Sequence, residues 1–199
     1  MLFEITKSIN GAWRIARMDQ NALNFFNISI EGFWRSFIAI LIVAPFYLIF
    51  LVLNHDQLSA IELSTEAATS EEFYVLIKLI AHILGWLVFP VVMIPISRLM
   101  DLSQRYIPYI IVWNWSNVLV MVVILPAVLI FPPSEHSGQS AKLILMAAQI
   151  TVLFYGYLVA RAGLECKTLT AIGVVMLDLL LGLLFLFLSW KNLNSNVAQ

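Results

Sequence analysis

Five long apolar runs dominate the chain, at about 33–53, 73–96, 107–131, 141–161 and 169–190, and they leave few folds open. A helix rising about 1.5 Å per residue crosses a hydrocarbon core of roughly 30 Å in about 20 residues, and each run reaches that length. Inside a bilayer the backbone must satisfy its own hydrogen bonds, which over runs like these only helices do. The expected fold is an all-α integral membrane protein. Residues 1–32 precede a five-helix transmembrane domain at 33–191, and 192–199 form a polar external tail without evident structure. The residues are 61% hydrophobic and only 12% charged. The charges gather between the runs instead of marking a polar stripe along each, as a soluble core helix would show.

Basic residues set the expected orientation. Lys7, Arg14, Arg17, Arg35, Arg98, Arg105, Arg161 and Lys167 fall on one side of the five runs. Lys78, Lys142 and Lys191 fall at the opposite ends. The positive-inside rule puts the first side, with the N-terminus, in the cytoplasm and the C-terminus outside. An odd number of spans requires the same result. The expected location is a bacterial inner (plasma) membrane.

Residues 1–18 lack the apolar h-region of a cleavable signal peptide. Read as a helix, Leu2, Ile5, Ile9, Ala12 and Ala16 share one stripe, Lys7, Asn10, Arg14 and Arg17 another, and Trp13 borders them. This amphipathic pattern suits a helix lying in the cytoplasmic interface, drawn to anionic head groups. The alternative is a topogenic basic segment with no lipid selectivity. Leu23, Phe26, Ile30 and Phe33 predict a second amphipathic piece over 19–32. Trp34 and Arg35 suit headgroup level at the entry to the first span. The candidate lipid-interface residues are therefore Lys7, Trp13, Arg14, Arg17, Trp34 and Arg35.

Further along, a short helix is expected from Asp56 to Ala67. Thr69 and Glu72 form a capping pattern, Pro132–Pro133 close the third span, and Ser140 is a candidate cap for the fourth. Pro45, Pro90, Pro95 and Pro126 are interior to spans. Each removes a helical hydrogen bond and offers either a hinge or a static kink.

Asp178 is the sharpest polar residue, placed between Leu177 and Leu179 near the middle of the fifth run. An aspartate at the centre of a span costs about 2.5–3.5 kcal/mol on insertion scales, so it should face the bundle or water. Residue counting brings Asn114, Asn117, His82 and Gln149 to similar depth. Together the five form a candidate midplane polar cluster. One reading is a binding or proton-responsive point, since aspartate and histidine change charge. The other is interhelical hydrogen bonding that fixes packing, at about 0.6 kcal/mol per bond. Gly156, Ala160 and Gly163 form a candidate helix-packing strip on the fourth run, for a neighbour in this chain or in another subunit.

Catalytic signatures such as G-x-S-x-G, H-E-x-x-H and Walker-type loops do not occur, and a single intramembrane aspartate does not make a protease dyad. Enzyme activity and cofactors are not expected. His136 with Glu135 and His55 with Asp56 lack metal-ligand spacing on a defined element, so no metal is expected either. The net charge of −1 gives nucleic acid no purchase.

The segment Ile30-Glu31-Gly32-Phe33-Trp34-Arg35-Ser36-Phe37, followed by a span containing Pro45, resembles the start of small bacterial five-span inner-membrane proteins. The five-span layout with a cytoplasmic N-terminus also resembles the Yip1 family, whose members act in membrane trafficking and organisation. That family's Asp-Leu-x-Gly-Pro motif does not occur here, so no site residues carry over. The expected function is a non-enzymatic scaffold or accessory protein that binds partner membrane proteins, or further copies of itself, through helix faces. The alternative is a small solute or proton transporter built on Asp178.

Overall fold

The computed structural model describes residues 2–53, 71–131 and 138–197, with side chains for all but 53, 71–74, 77 and 185–197. The described residues are helical, with no strand among them. In chain order they form α1 (Leu2–Ala16), a 3₁₀ turn (Ala22–Phe25), α2 (Ile30–Ser36), α3 (Ile38–Leu53) and α4 (Glu71–Leu99). A second 3₁₀ turn (Ser103–Arg105), α5 (Tyr106–Ile130), α6 (Gln139–Leu164) and α7 (Thr168–Val197) follow. Among the described residues four segments are long and apolar enough to cross a membrane: Ile30–Val52, Lys78–Leu99, Ser103–Ile130 and Gln139–Leu164. The chain is thus a multi-pass membrane protein by length and composition. The fifth run shows a shorter apolar stretch, Thr168–Leu184, inside a helix that continues to Val197. The residues expected as a structureless tail therefore begin as helix.

Local chemistry explains where the elements depart from the sequence reading. The first run is not one rod, because it breaks at Phe37 between α2 and α3. The Ser36 hydroxyl donates to the carbonyl of Phe33 at 2.7 Å, a back-bond that competes with the helical ladder and bends it. Ser29 starts α2 by accepting from the Gly32 amide at 3.0 Å, so the expected continuous piece over 19–32 divides into a 3₁₀ turn and a new helix. Ser140 caps nothing, since α6 already begins at Gln139, after Gly138. Pro108 lies in the first turn of α5, where no helical amide partner is needed. Pro45, Pro90, Pro95 and Pro126 sit inside helices that continue through them. The expected 56–67 helix, Thr69 and Pro132–Pro133 lie outside the described residues.

The first half of α5 forms the axis of the bundle. Pro108–Val112 and Asn114–Ser116 are buried without a break other than Trp113, as befits a helix surrounded by others. On α6 the packing strip faces two internal neighbours. A Cβ on Gly163 would stand 2.9 Å from the Cα of Tyr109, so α5 and α6 cross there with backbones nearly touching. A Cβ on Gly156 would stand 3.6 Å from Val175 of α7, an ordinary contact. Ala160, between them, is fully buried. The small residues thus serve packing within this chain.

Helix α1 is docked, not free. Ser8, Gly11, Ala12 and Ile15 are buried, while Leu2 at 82% exposed has left the expected stripe. Gly11 is required by its neighbours, because a Cβ there would come within 2.7 Å of the Phe26 ring. The Tyr155 hydroxyl of α6 donates to the Ala12 carbonyl at 2.9 Å, with Ser116 Oγ 3.1 Å from the same hydroxyl. Polar clasps close the segment. Glu4 accepts from Arg35 at 2.8 Å and from Asn27 at 3.1 Å, and Arg14 reaches Asp19 at 2.7 Å while lying 4.3 Å over the Phe25 ring. Elsewhere Arg105 pairs with Glu165, joining the connections that precede α5 and α7. Those connections lie at one end of the bundle, together with Arg98, Arg161 and Lys167, and that end is called the basic end below.

Two outcomes follow. Gly163→Ala should destabilise the bundle by about 1–3 kcal/mol, whereas Gly156→Ala should cost well under half of that, both read by reversible unfolding in detergent. Arg35 beside Glu4, and the Asn21 amide and Arg14 beside Asp19, hold both carboxyls below their ordinary values. Such groups stabilise fully above the ordinary value, and the contribution disappears as pH falls through the lowered one. Protection of α1 amides from hydrogen exchange should therefore be flat from neutrality down to roughly pH 4 and fall below it. Glu4→Gln should remove part of that acid step, and a loss of protection already above pH 6 would contradict the clasp.

Candidate functional site

Three of the five candidate cluster residues, His82, Asn114 and Asp178, meet a common aromatic seam. Asn114 on α5 is completely buried and uses both ends of its amide. Its Oδ1 accepts from Trp86 Nε1 of α4 at 2.9 Å, and its Nδ2 donates to Ser36 Oγ at the end of α2 at 2.8 Å. One side chain thus fixes three helices. Ser36 is completely buried too, and its own proton goes to Phe33. Every polar atom in this chain of bonds has a partner, which is the condition for burying it cheaply.

Asp178 on α7 accepts from Trp113 Nε1 at 3.3 Å and is half-buried. Asn117 turns back on its own helix, donating to the Trp113 carbonyl at 3.0 Å. His82 lies flat on Tyr47 of α3 with ring centroids 4.0 Å apart and 14° between planes. Its edge meets Trp86 at 5.9 Å, and its buried Nε2 has no hydrogen-bond partner. Trp86 and Trp113 meet edge to face at 5.8 Å, and Phe89 stacks on Trp113 at 4.7 Å. None of these hydrogen bonds runs between two of the candidate cluster residues. Three of those residues are joined through indoles, in the order His82, Trp86, Trp113, Asp178, with Asn114 branching from Trp86.

Gln149 is a correction to the cluster. It matches the others in residue count but lies exposed on α6. The reason is that α6 is fully buried only at Tyr155, Val159, Ala160, Gly163 and Leu164, so its earlier half faces outward. The interface set also divides. Lys7, Trp13, Arg17 and Trp34 are exposed, whereas Arg14 and Arg35 are engaged by Asp19 and by Glu4 with Glu31. No group of three metal-ligating side chains occurs among the described residues.

Sequence reasoning missed Trp86, Trp113, Ser36 and Tyr155. A signal was present for the indoles. Tryptophan favours the membrane–water interface, and one in mid-span must find a partner for its N–H. Trp86 and Trp113 sit a few residues from His82 and beside Asn114, so the donors and acceptors could have been matched. Ser36 and Tyr155 carried no such signal, because their partners are distant in sequence.

The arrangement can hold helices in register and can hold titratable groups out of water. Asn114→Ala strands the Trp86 N–H and the Ser36 hydroxyl and should cost about 1–3 kcal/mol in detergent unfolding. Asp178→Asn keeps an acceptor for Trp113 and should cost less than about 0.5 kcal/mol, as should Gln149→Ala on the outer face. Equal losses for Asn114→Ala and Gln149→Ala would refute the assignment of Asn114 as the tie. No protein-family model, curated protein or solved structure matches the chain.

Proposed function

We propose that the chain is a five-span, non-enzymatic scaffold or accessory protein of a bacterial inner membrane, with its N-terminus cytoplasmic and C-terminus external. It binds partner membrane proteins through helix faces. The fifth span is α7, and the orientation follows from the positive-inside rule, with Arg98, Arg105, Arg161 and Lys167 at the basic end. The observation that carries the reading is Gln149. Its side chain stands exposed on α6 among the exposed Met146, Ile150 and Phe154. A primary amide facing lipid leaves its donors and acceptors unpaired, whereas across a helix–helix contact it finds partners. The small-residue strip does not compete for this role, because Gly156 and Gly163 are covered from within. The interior polar groups support the reading too, since Asn114, Asn117 and Asp178 are each engaged in bonds inside the bundle.

One observation favours the transporter alternative. His82, whose Nε2 is unpartnered, and Asp178 are both titratable and lie at opposite ends of the indole pair. The two readings separate in one experiment. Purified in mild detergent, the wild-type protein should carry a membrane-protein partner in fixed stoichiometry, Gln149→Leu should lose it, and Asp178→Asn should keep it. In liposomes the purified protein should pass no more protons than empty vesicles. A partner-free particle with a proton flux abolished by Asp178→Asn would replace the scaffold with the transporter.

A further inference from the structure

The docking of α1 raises a problem of depth. Ser116 lies about 15 Å along α5 from its start, and Tyr155 about 14 Å from the end of α6. The Ala12 carbonyl bonds to the Tyr155 hydroxyl, so α1 is held well above the basic end of the bundle. If the bilayer surface followed the basic end, the middle of α1, between the exposed Lys7 and Arg17, would stand at inner-leaflet depth. If it followed α1, the exposed Val91, Ile94, Leu169 and Ile172 would stand in water. Apolar exposure on that scale and charge inside hydrocarbon are both costly. A bilayer whose inner surface is raised beside α1 and lower around α4 and α7 would relieve both costs. Charged groups near helix ends draw head groups and water inward in this way.

A cleft stands at the step. Asn10, Trp13, Arg14, Arg17 and Asp19 line an open, polar surface cleft of about 330 Å³. Asp19 is neutralised by Arg14 at 2.7 Å, which leaves Arg17 as the net positive charge. Lys7, Asn10, Arg14 and Arg17 fall on one stripe at three- and four-residue spacing, and Trp13 stands 56% exposed beside it. The guanidinium of Arg17 and the amide of Asn10 suit a phosphate diester, and the Trp13 ring suits the glycerol–acyl boundary. We infer that this cleft binds the phosphate of an anionic phospholipid raised from the inner leaflet. The inference rests on the cytoplasmic placement of α1 proposed above. Phosphate is the chemistry recognised, and the lipid is its source, because the exposed Trp13 ring borders the cleft with apolar surface.

Native mass spectrometry of the full chain, released from nanodiscs of mixed phosphatidylglycerol and phosphatidylcholine, reads the site directly. Phosphatidylglycerol should be retained preferentially. Arg17→Ala should lower retention about tenfold, the loss of one charged hydrogen bond, while Arg17→Lys keeps part of it. Lys167→Ala, an exposed cation at the basic end, should leave it unchanged. Equal losses for Arg17→Ala and Lys167→Ala would overturn the site, and so would displacement of the lipid by millimolar inorganic phosphate, which would mark an ion site. Placement is read separately by a membrane-impermeant maleimide on Lys7→Cys. Cys166 is buried and burial pushes its thiol up, so it stays silent. Labelling from the outer face would refute the topology while leaving the lipid result to stand or fall alone.

Discussion

The bundle depends on one buried amide. Asn114 accepts from an indole on α4 and donates to a hydroxyl at the end of α2, so three elements distant in sequence take one register. In a bilayer the hydrophobic effect does not press helices together, because lipid tails are as apolar as leucine. Steric fit and the few available hydrogen bonds must choose the arrangement. Around Asn114 the two coincide. The indoles that serve as donors also fill the space between helices, and Phe89 and Tyr47 extend the seam on either side.

A second tie works by close approach. Where α5 and α6 cross at Gly163 and Tyr109, a missing side chain is the design feature. The same pair of helices receives α1 through Tyr155 and Ser116. The N-terminal segment is thus part of the folded body and not an appendage, and its charges are carried to a fixed height. That height is what makes its exposed cations consequential, since a charge tethered by a floppy tail would find water without disturbing the bilayer.

Much of this was legible in the sequence, and the misses have physical causes. Helix positions followed from hydrophobic run length, and each described end lies within a few residues of expectation except the last, where α7 runs on to Val197. Asp178 and Asn114 were identifiable because a strong polar group in an apolar run is costly. Residue counting gives depth but not azimuth or coverage, so Gln149 was grouped with residues it does not approach. The break at Phe37 turned on the Ser36 hydroxyl, which back-bonds locally to Phe33 and also accepts from Asn114, remote in sequence. For α1, the stripe was read as facing lipid, whereas its small member Ala12, with Gly11 beside it, permits contact with protein. Small residues on a stripe signal protein contact more than lipid contact, and that distinction was available.

A double-mutant cycle on Trp86→Phe and Asn114→Ala, by reversible unfolding in detergent, tests most directly whether interior polar groups hold the bundle together. If the indole and amide act as one tie, the two losses should fail to add, with a coupling of about 0.6–1.7 kcal/mol. Strictly additive losses would mean that the bond contributes no coupling, and the interior polar residues would then need another purpose.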